Sequence, residues 1–423
     1  MATIHIVGTG LAGLSTAVSL LGQGRRLSLY EQSPHAGGRC RSFYDHTLGR
    51  HLDNGNHLMM SANRAALAYL DRIGTRDTLI SHEEAAYPFV DLRSGQRWVL
   101  RPNRGPLPWW VLFPQRRVPG SRLADYWSGV RLLTAGADAT VADCIPTTHP
   151  LYRSFWEPLT LAALNCGPEE AAAAPLKAVL LETFAKGASY CRPLIARDGL
   201  GDSLITPALT LLAKGGIRPF FGQRLRGLRM ENQRVTGLDF GTSMETVDAD
   251  DTVVLALPHS AVGALLPDQT VPEDGHVIVN AHFRLALAPE PLPLGLPFLG
   301  VVGGDAHWIF VRDDMVSVTV SGAGALAEHS PADIAARLWR DVAQALMLGD
   351  MPLPPYRIIK EKRATFVQTP ANQRRRPGAA TRWPNLFLAG DWTATGLPCT
   401  IEGAIRSGNT AAAAVMSGRR AGT

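Results

Sequence analysis

Near the start of the chain, Gly8, Gly10 and Gly13 fall in the run Gly-Thr-Gly-Leu-Ala-Gly, directly behind the apolar stretch Thr3 to Val7. Each glycine has its own task in holding a diphosphate. Gly8 permits a tight turn, Gly10 lets an anion approach bare backbone, and Gly13 lets the following helix lie close on the strand. Leu11 and Ala12 open that helix, whose first N–H groups and positive dipole end face the anion. A second apolar run, Leu27 to Tyr30, ends in Glu31, where a carboxylate at a strand end accepts the ribose hydroxyls of an adenosine half. Glycine turns are common, so specificity comes from the order of strand, turn, helix, strand and acid. The chemistry implied is the binding of one dinucleotide.

Three further clusters could complete such a site. Gly37-Gly38-Arg39 sets two small residues and a guanidinium along a second stretch of phosphate, an addition common in flavin folds and rare in NAD folds. His51 to His57 reads His-Leu-Asp-Asn-Gly-Asn-His and is expected as a loop at the site. Asp53, Gly55, Asn56 and His57 are its candidate site residues. The alternative is an Asx-turn in which Asp53 and Asn54 only cap their own backbone. Near the other end, the run Asn385 to Ala389 leads into Gly390-Asp391-Trp392, and Thr400 caps a helix beginning at Ile401. That helix start would stabilise negative charge on the pyrimidine edge of a reduced flavin, or the helix simply docks against the core.

These residues together resemble the amine-oxidase and phytoene-desaturase superfamily of flavoproteins, and within it the hydroxysqualene dehydroxylase family. The likeness is carried by Gly37 to Leu58, Leu159 to Asn165 with Glu169-Glu170, Arg197 to Leu204, and Gly390 to Gly408. In the last segment the family usually has Ala where this chain has Cys399. The resemblance implies FAD lying against Gly8, Gly10, Gly13, Glu31, Arg39, Gly55, Asp391 and Ile401, with adenine meeting the backbone of Leu225 in a strand after Gly222. It implies reductive removal of an allylic hydroxyl from hydroxysqualene or a similar long isoprenoid, with electrons from an external donor; for that reaction His57 would be a proton donor, and Asp53 would orient His57 or organise the loop. Two other readings stand beside it: a carotenoid-type desaturase or saturase, and a non-catalytic lipid carrier with the same fold, against which the intact flavin apparatus argues.

The elements that must position these residues form an α/β Rossmann-like FAD-binding domain and a discontinuous α+β substrate domain containing an antiparallel sheet. Residues 1–86, 193–259 and 376–423 are expected in the first, and 87–192 and 260–375 in the second. The second domain's strands are expected at Ile278 to Leu285, Phe298 to Gly303, Trp308 to Arg312 and Val316 to Ser321. Phe155, Trp156, Phe283 and Trp308 are candidate walls for an apolar tunnel. Ser321 to Ala327 fits a second glycine fingerprint, but the helix signal comes only at Ser330-Pro331, so no nicotinamide site is expected there.

The chain of 423 residues with 46% apolar composition is long enough for two cores. Its +5 charge comes from scattered arginines and five lysines, not from a run that would seek nucleic acid. Five widely spaced cysteines without a CxxC pair suggest reduced thiols and no metal site. With no secretory signal after Met1 and no long apolar run, a cytoplasmic protein is expected, peripheral at the inner face of the membrane. Pro106 to Pro119 places Leu107, Trp109, Trp110, Val111, Leu112 and Phe113 among Arg101, Arg104, Arg116 and Arg117. That pattern suits an interfacial anchor as well as a buried lining of the substrate domain.

Overall fold

A computed structural model describes residues 1–418. Its first sheet has four parallel strands in the spatial order Leu386–Leu388, Thr252–Leu255, Thr3–Val7 and Arg26–Tyr30. Three separated stretches of chain therefore meet in one sheet. The central strands are apolar almost throughout because both faces are covered. Helix Leu11–Leu20 lies on one face, and a three-stranded antiparallel unit, Gly227–Glu231, Arg234–Asp239 and Met244–Thr246, packs over the other.

The two ends of the chain are fastened by helix Ile401–Ser417 lying on helix Leu11–Leu20. Contact is backbone-close: a methyl group on Gly408 would stand 2.0 Å from Ser15 Oγ and 2.3 Å from the Ala12 carbonyl oxygen. Ser15 and Thr16 donate across the interface to the carbonyls of Ile405 and Gly408 at 3.3 and 3.1 Å. Small polar residues inside an apolar helix thus serve close approach.

The second sheet has seven strands in the order Tyr356–Glu361, Ile278–Arg284, Met315–Val320, Trp308–Arg312, Phe298–Val302, Tyr87–Asp91 and Arg97–Leu100. All neighbours are antiparallel except Phe298–Val302 with Tyr87–Asp91. Helix Pro331–Leu346, capped by the Ser330 hydroxyl accepting from the Asp333 N–H at 3.2 Å, covers one face with Leu338, Trp339 and Val342. The four strands expected in this sheet all lie within a residue of those observed. The glycines of Ser321 to Ala327 open only a one-turn helix, Gly324–Ala327, ahead of that longer one.

Two local expectations fail. His51 to Asp53 belong to a strand, Arg50–Asp53, paired with Ser42–Asp45, so the loop begins only at Asn54. Exposed His51 alternates with buried Leu52, and the carboxylate of Asp53 is hydrogen-bonded inside, which removes the usual objection to a buried acid in a strand. Leu225 is not in a strand either. The Arg26–Tyr30 strand is extended by an isolated bridge from Tyr30 to Phe220, after which Gly222, at φ +72°, turns the chain before the next strand starts at Gly227.

The close helix contact is testable. Gly408→Ala should destabilise the protein by about 1–3 kcal/mol through overpacking, seen as a lower thermal midpoint. An unchanged midpoint would mean that the two helices do not pack as described.

Candidate active site

A cavity of about 1210 Å³ runs between the two sheets. Gly8, Gly10, Leu11, Ala12, Glu31, Gly37, Gly38, Arg39, Gly55, Asn56, His57, Leu225, Asp391, Thr400 and Ile401 all line it. Gly13 and Asp53 lie behind its wall.

At one end the glycine turn is shaped by sterics. Gly8 has φ +103°, and a Cβ there would meet the Ala256 carbonyl oxygen at 2.4 Å. A Cβ on Gly13 would sit 1.9 Å from the Gly8 carbonyl oxygen, whereas Gly10 faces open space, as close approach of a phosphate requires. Glu31 is buried, and its carboxylate accepts from the Thr9 N–H at 2.9 Å, the Thr9 hydroxyl at 2.7 Å and the Ser33 N–H at 2.9 Å. A carboxylate offers about four acceptor positions, so capacity remains for a ribose hydroxyl.

Arg39 does not stand free in the cavity. Its guanidinium donates to Asp391 at 2.8 Å and to the Ala364 carbonyl at 2.5 Å, and the Asp391 charge holds it protonated more firmly than an ordinary arginine. The Gly-Asp-Trp turn is fixed from behind by Arg376, which donates to the carbonyls of Asp391 and Leu397 at 2.9 and 2.7 Å and reaches that of Thr393. Burial pulls the Arg376 pKa down, against the attraction of Asp391. Gly390 cannot carry a side chain, because a Cβ would lie 2.3 Å from Trp392 Nε1, which donates to the Leu257 carbonyl at 2.9 Å.

At the other end the Thr400 hydroxyl accepts from the Gly403 N–H at 3.0 Å, and Ala404 N–H reaches the Thr400 carbonyl. The earlier amides, of Ile401 and Glu402, are the unpaired donors of that helix start. Glu402 does not quench them. Its carboxylate accepts from the Ala65 and Ala66 N–H groups at 3.1 and 2.9 Å, at the start of helix Arg64–Ile73, and pairs with Arg406 at 3.2 Å. The second sheet then holds the opposing loop. Asn280 donates to the Asn54 carbonyl at 3.2 Å, Thr319 donates to Asn280 at 2.8 Å, and Asn56 donates to Thr319 at 3.2 Å. Gly55 is required because a Cβ would stand 2.9 Å from Asn280 Nδ2.

His57 and Asp53 do not form a hydrogen-bonded pair. Asp53 accepts from the Ser42 hydroxyl at 2.5 Å and the Leu200 N–H at 2.9 Å, while Gly201 N–H holds Ser42 at 2.8 Å. Of its two expected roles it has the geometry of the loop organiser, which also accounts for the Arg197 to Leu204 segment. His57 Nδ1 lies 3.0 Å from the Gly55 carbonyl, so in the neutral ring Nδ1 carries the proton and Nε2 is left as an acceptor. Burial lowers the His57 pKa from its usual value, outweighing the Gly55 bond and the nearby Asp53 charge.

The far part of the cavity is apolar. Phe155 and Trp308 line it, with Tyr87, Leu100, Leu159 and Phe184. Trp156 and Phe283 do not: Trp156 is buried in the helical cluster with Leu132 and Leu164, and Phe283 lies under Trp339 with ring centroids 5.3 Å apart. Large aromatics fill cores as readily as they line tunnels.

Sequence reasoning missed Arg376, Asn280 and Thr319. Arg376 hides in the run Arg374-Arg375-Arg376, which reads as a solvated patch. Asn280 does leave a signal, because it alternates with His282 as a polar residue inside an otherwise apolar strand.

This arrangement, one dinucleotide cradle closed by a late Gly-Asp-Trp turn and faced by an apolar chamber, defines a flavin-dependent oxidoreductase. The sequence profile of the flavin containing amine oxidoreductase family matches residues 11–416, and the chain belongs to that family. Within it the chain belongs with the hydroxysqualene dehydroxylases. It is 44% identical over 415 residues to hydroxysqualene dehydroxylase of Sinorhizobium fredii, covering 98% of each chain. It is 43% identical over 421 residues to that of Rhodopseudomonas palustris, covering 99% of each. Among solved structures, a putative protoporphyrinogen oxidase from Exiguobacterium sp. 255-15 superposes with a TM-score of 0.70 over 99% of both chains at 14% identity, a likeness of fold.

If Arg376 shapes the turn, Arg376→Lys keeps the charge but loses the planar fork. Flavin titration of the apoprotein should then show roughly tenfold or greater loss of affinity. Unchanged affinity would remove Arg376 from the site.

Proposed function

We propose that this chain binds FAD and reductively removes the hydroxyl of hydroxysqualene to give squalene. The carrying observation is the single cavity in which a dinucleotide cradle, the partly buried His57 and an apolar chamber are continuous. The likeness to dehydroxylases of that name along nearly the whole chain supports the choice of substrate. FAD fits the residues present. Glu31 keeps acceptor capacity for the ribose, and Leu225 would border the adenine end. Leu11 and Ala12 would bring the helix start to the diphosphate beside Gly37 and Gly38, while Gly55, Asn56, Thr400 and Ile401 would border the ring; all line the one cavity. Bound reduced FAD supplies hydride to the carbon that loses oxygen.

The protein must supply the rest. The leaving oxygen departs as water only if a proton reaches it, and His57 is the titratable group in the loop facing the chamber. Because Nδ1 is committed to Gly55, Nε2 is the nitrogen that meets the hydroxyl. In the neutral ring it accepts a hydrogen bond and orients the alcohol; after protonation it donates. Asp53 keeps the loop in place through Ser42 and Leu200. The allylic cation would be sheltered by Phe155 and Trp308, which line the apolar part of the cavity. An external donor restores the reduced cofactor, and a bilayer-soluble substrate requires the protein to meet lipid.

Anaerobic mixing of reduced holoprotein with hydroxysqualene should return the oxidised flavin spectrum and yield squalene. No reoxidation would overturn the proposed reaction. His57→Gln should retain FAD but slow reoxidation about 10²-fold or more. The protonated ring is the donor and burial lowers its pKa, so the single-turnover rate should fall as pH rises through a value below the usual 6.5. A flat pH profile in the wild type, or a near-normal rate in His57→Gln, would eliminate this histidine.

A further inference from the structure

We infer that the segment from Arg104 to Arg131 is a docking face for the surface of an anionic phospholipid bilayer, set over the apolar end of the cavity. This rests on the proposed isoprenoid substrate only for its purpose; the face is argued from its own chemistry.

Leu107, Trp109, Leu112, Phe113, Leu123 and Trp127 are all exposed, Leu107 at 73% and Trp127 at 70%. Val130 follows them. Elsewhere exposed large apolar side chains are scattered, as on any soluble surface, but here they crowd into one short stretch. Prolines 106, 108, 114 and 119 prevent a long helix and leave short turns, Trp109–Leu112, Pro114–Arg116 and Leu123–Trp127, that hold these side chains outward.

The charge on this face is what selects the occupant. Arg104, Arg116, Arg117, Arg122 and Arg131 stand against Asp125 alone, five positive charges less one negative, where the entire chain carries +5. None of the five pairs with a carboxylate side chain among the described residues, and Asp125 is taken up by the Arg122 backbone N–H at 2.7 Å. Arg116 lies over the Trp109 ring, its guanidinium carbon 5.6 Å from the centroid. A second copy of this chain would bring the same unpaired positive charge against itself. Lipid phosphates at head-group depth, with acyl chains beneath for Trp and Leu, satisfy both halves.

Position gives the face its use. Trp110, expected as part of the anchor, is instead 4% exposed and packs inward with Tyr87, Leu100 and Phe298. Tyr87 and Leu100 line the cavity, so consecutive tryptophans mark the two sides of one wall, Trp109 outside and Trp110 inside. Asn103 fixes the fold of the wall, accepting from the Trp110 N–H at 3.1 Å and donating to the Leu107 carbonyl at 3.0 Å. Its own carbonyl accepts from the Ala188 N–H at 2.8 Å, tying the wall to the stretch after Phe184, another cavity residue.

The test uses FAD-loaded full-length protein and flotation with vesicles of mixed phosphatidylglycerol and phosphatidylcholine, read by flavin absorbance and therefore independent of turnover. Wild type should float with these and less with phosphatidylcholine alone. The triple variant Trp109→Ser, Phe113→Ser, Trp127→Ser should bind about tenfold or more weakly. Arg104→Glu with Arg116→Glu and Arg131→Glu should do the same. Both variants should keep the wild-type melting midpoint and its single-turnover rate on detergent-dispersed substrate. Failure of wild type to float, equal flotation of the triple variant, or a wild-type dimer in sedimentation that the triple variant abolishes would each overturn the proposal. If the chemistry proposed above is wrong, only the turnover measurement fails and flotation is unaffected.

Discussion

Arg39 and Asp391 are 352 residues apart in the chain and meet at 2.8 Å. The active site depends on this contact, because it joins the loop after the second strand to the turn after the last one. Neither partner is stable there alone. Asp391 is almost wholly buried, and a buried carboxylate without a cation would give up its charge. Arg376 supports the pair from the far side by holding the backbone carbonyl of Asp391, so the acid is fixed at both its side chain and its main chain. A partly exposed ion pair contributes little to stability by itself. Its value here is positional, since it fixes a cation in the wall of the cavity.

The second sheet completes what the ion pair begins. Asn280, Thr319 and Glu361 come from three of its strands and grip Asn54 to Asn56 through side-chain hydrogen bonds. The Asn54 to Asn56 loop is thereby held by the seven-stranded sheet on one side, while Ser42 and the Leu200 turn hold the neighbouring Asp53. Any shift of that sheet relative to the Leu200 turn must break this set, so the two sides of the cavity keep a common register. Glycine is needed at position 55 for the same reason, because the Asn280 amide occupies the space a methyl would take.

The sequence made strands and fingerprints legible wherever the physical signal is local. Trp308–Arg312 and Thr3–Val7 follow from apolar runs of the right length, and the Gly8 to Gly13 turn from steric needs only glycine meets. It was less informative where polarity is satisfied at long range. Asp53 looked like a loop acid because its partners, Ser42 and Leu200, cannot be inferred from neighbouring residues. Leu225 was misplaced because a single bridge through Phe220, and not a strand, extends the sheet. Phe283 and Trp308 are equally aromatic, yet only the fold decides which faces Trp339 and which faces the cavity. Arg376 is invisible in the sequence, since an exposed and a partly exposed arginine precede it and only tertiary burial sets it apart.

The state of His57 follows from the same burial that makes the chamber useful. Excluding water strengthens every charge inside and protects a reactive cation, but it also penalises the imidazolium. The Gly55 carbonyl offsets part of that cost, and it does so at Nδ1, leaving Nε2 as the acceptor of the neutral ring. Asp53 adds attraction without contact, because Ser42 and Leu200 hold its carboxylate in place through Oδ1. A direct Asp–His bond would raise the histidine pKa and favour a resting imidazolium next to Arg39, whose charge already opposes it. The geometry avoids that conflict by favouring the neutral form, and in the proposed reaction the ring would have to take up a proton before passing it to the alcohol.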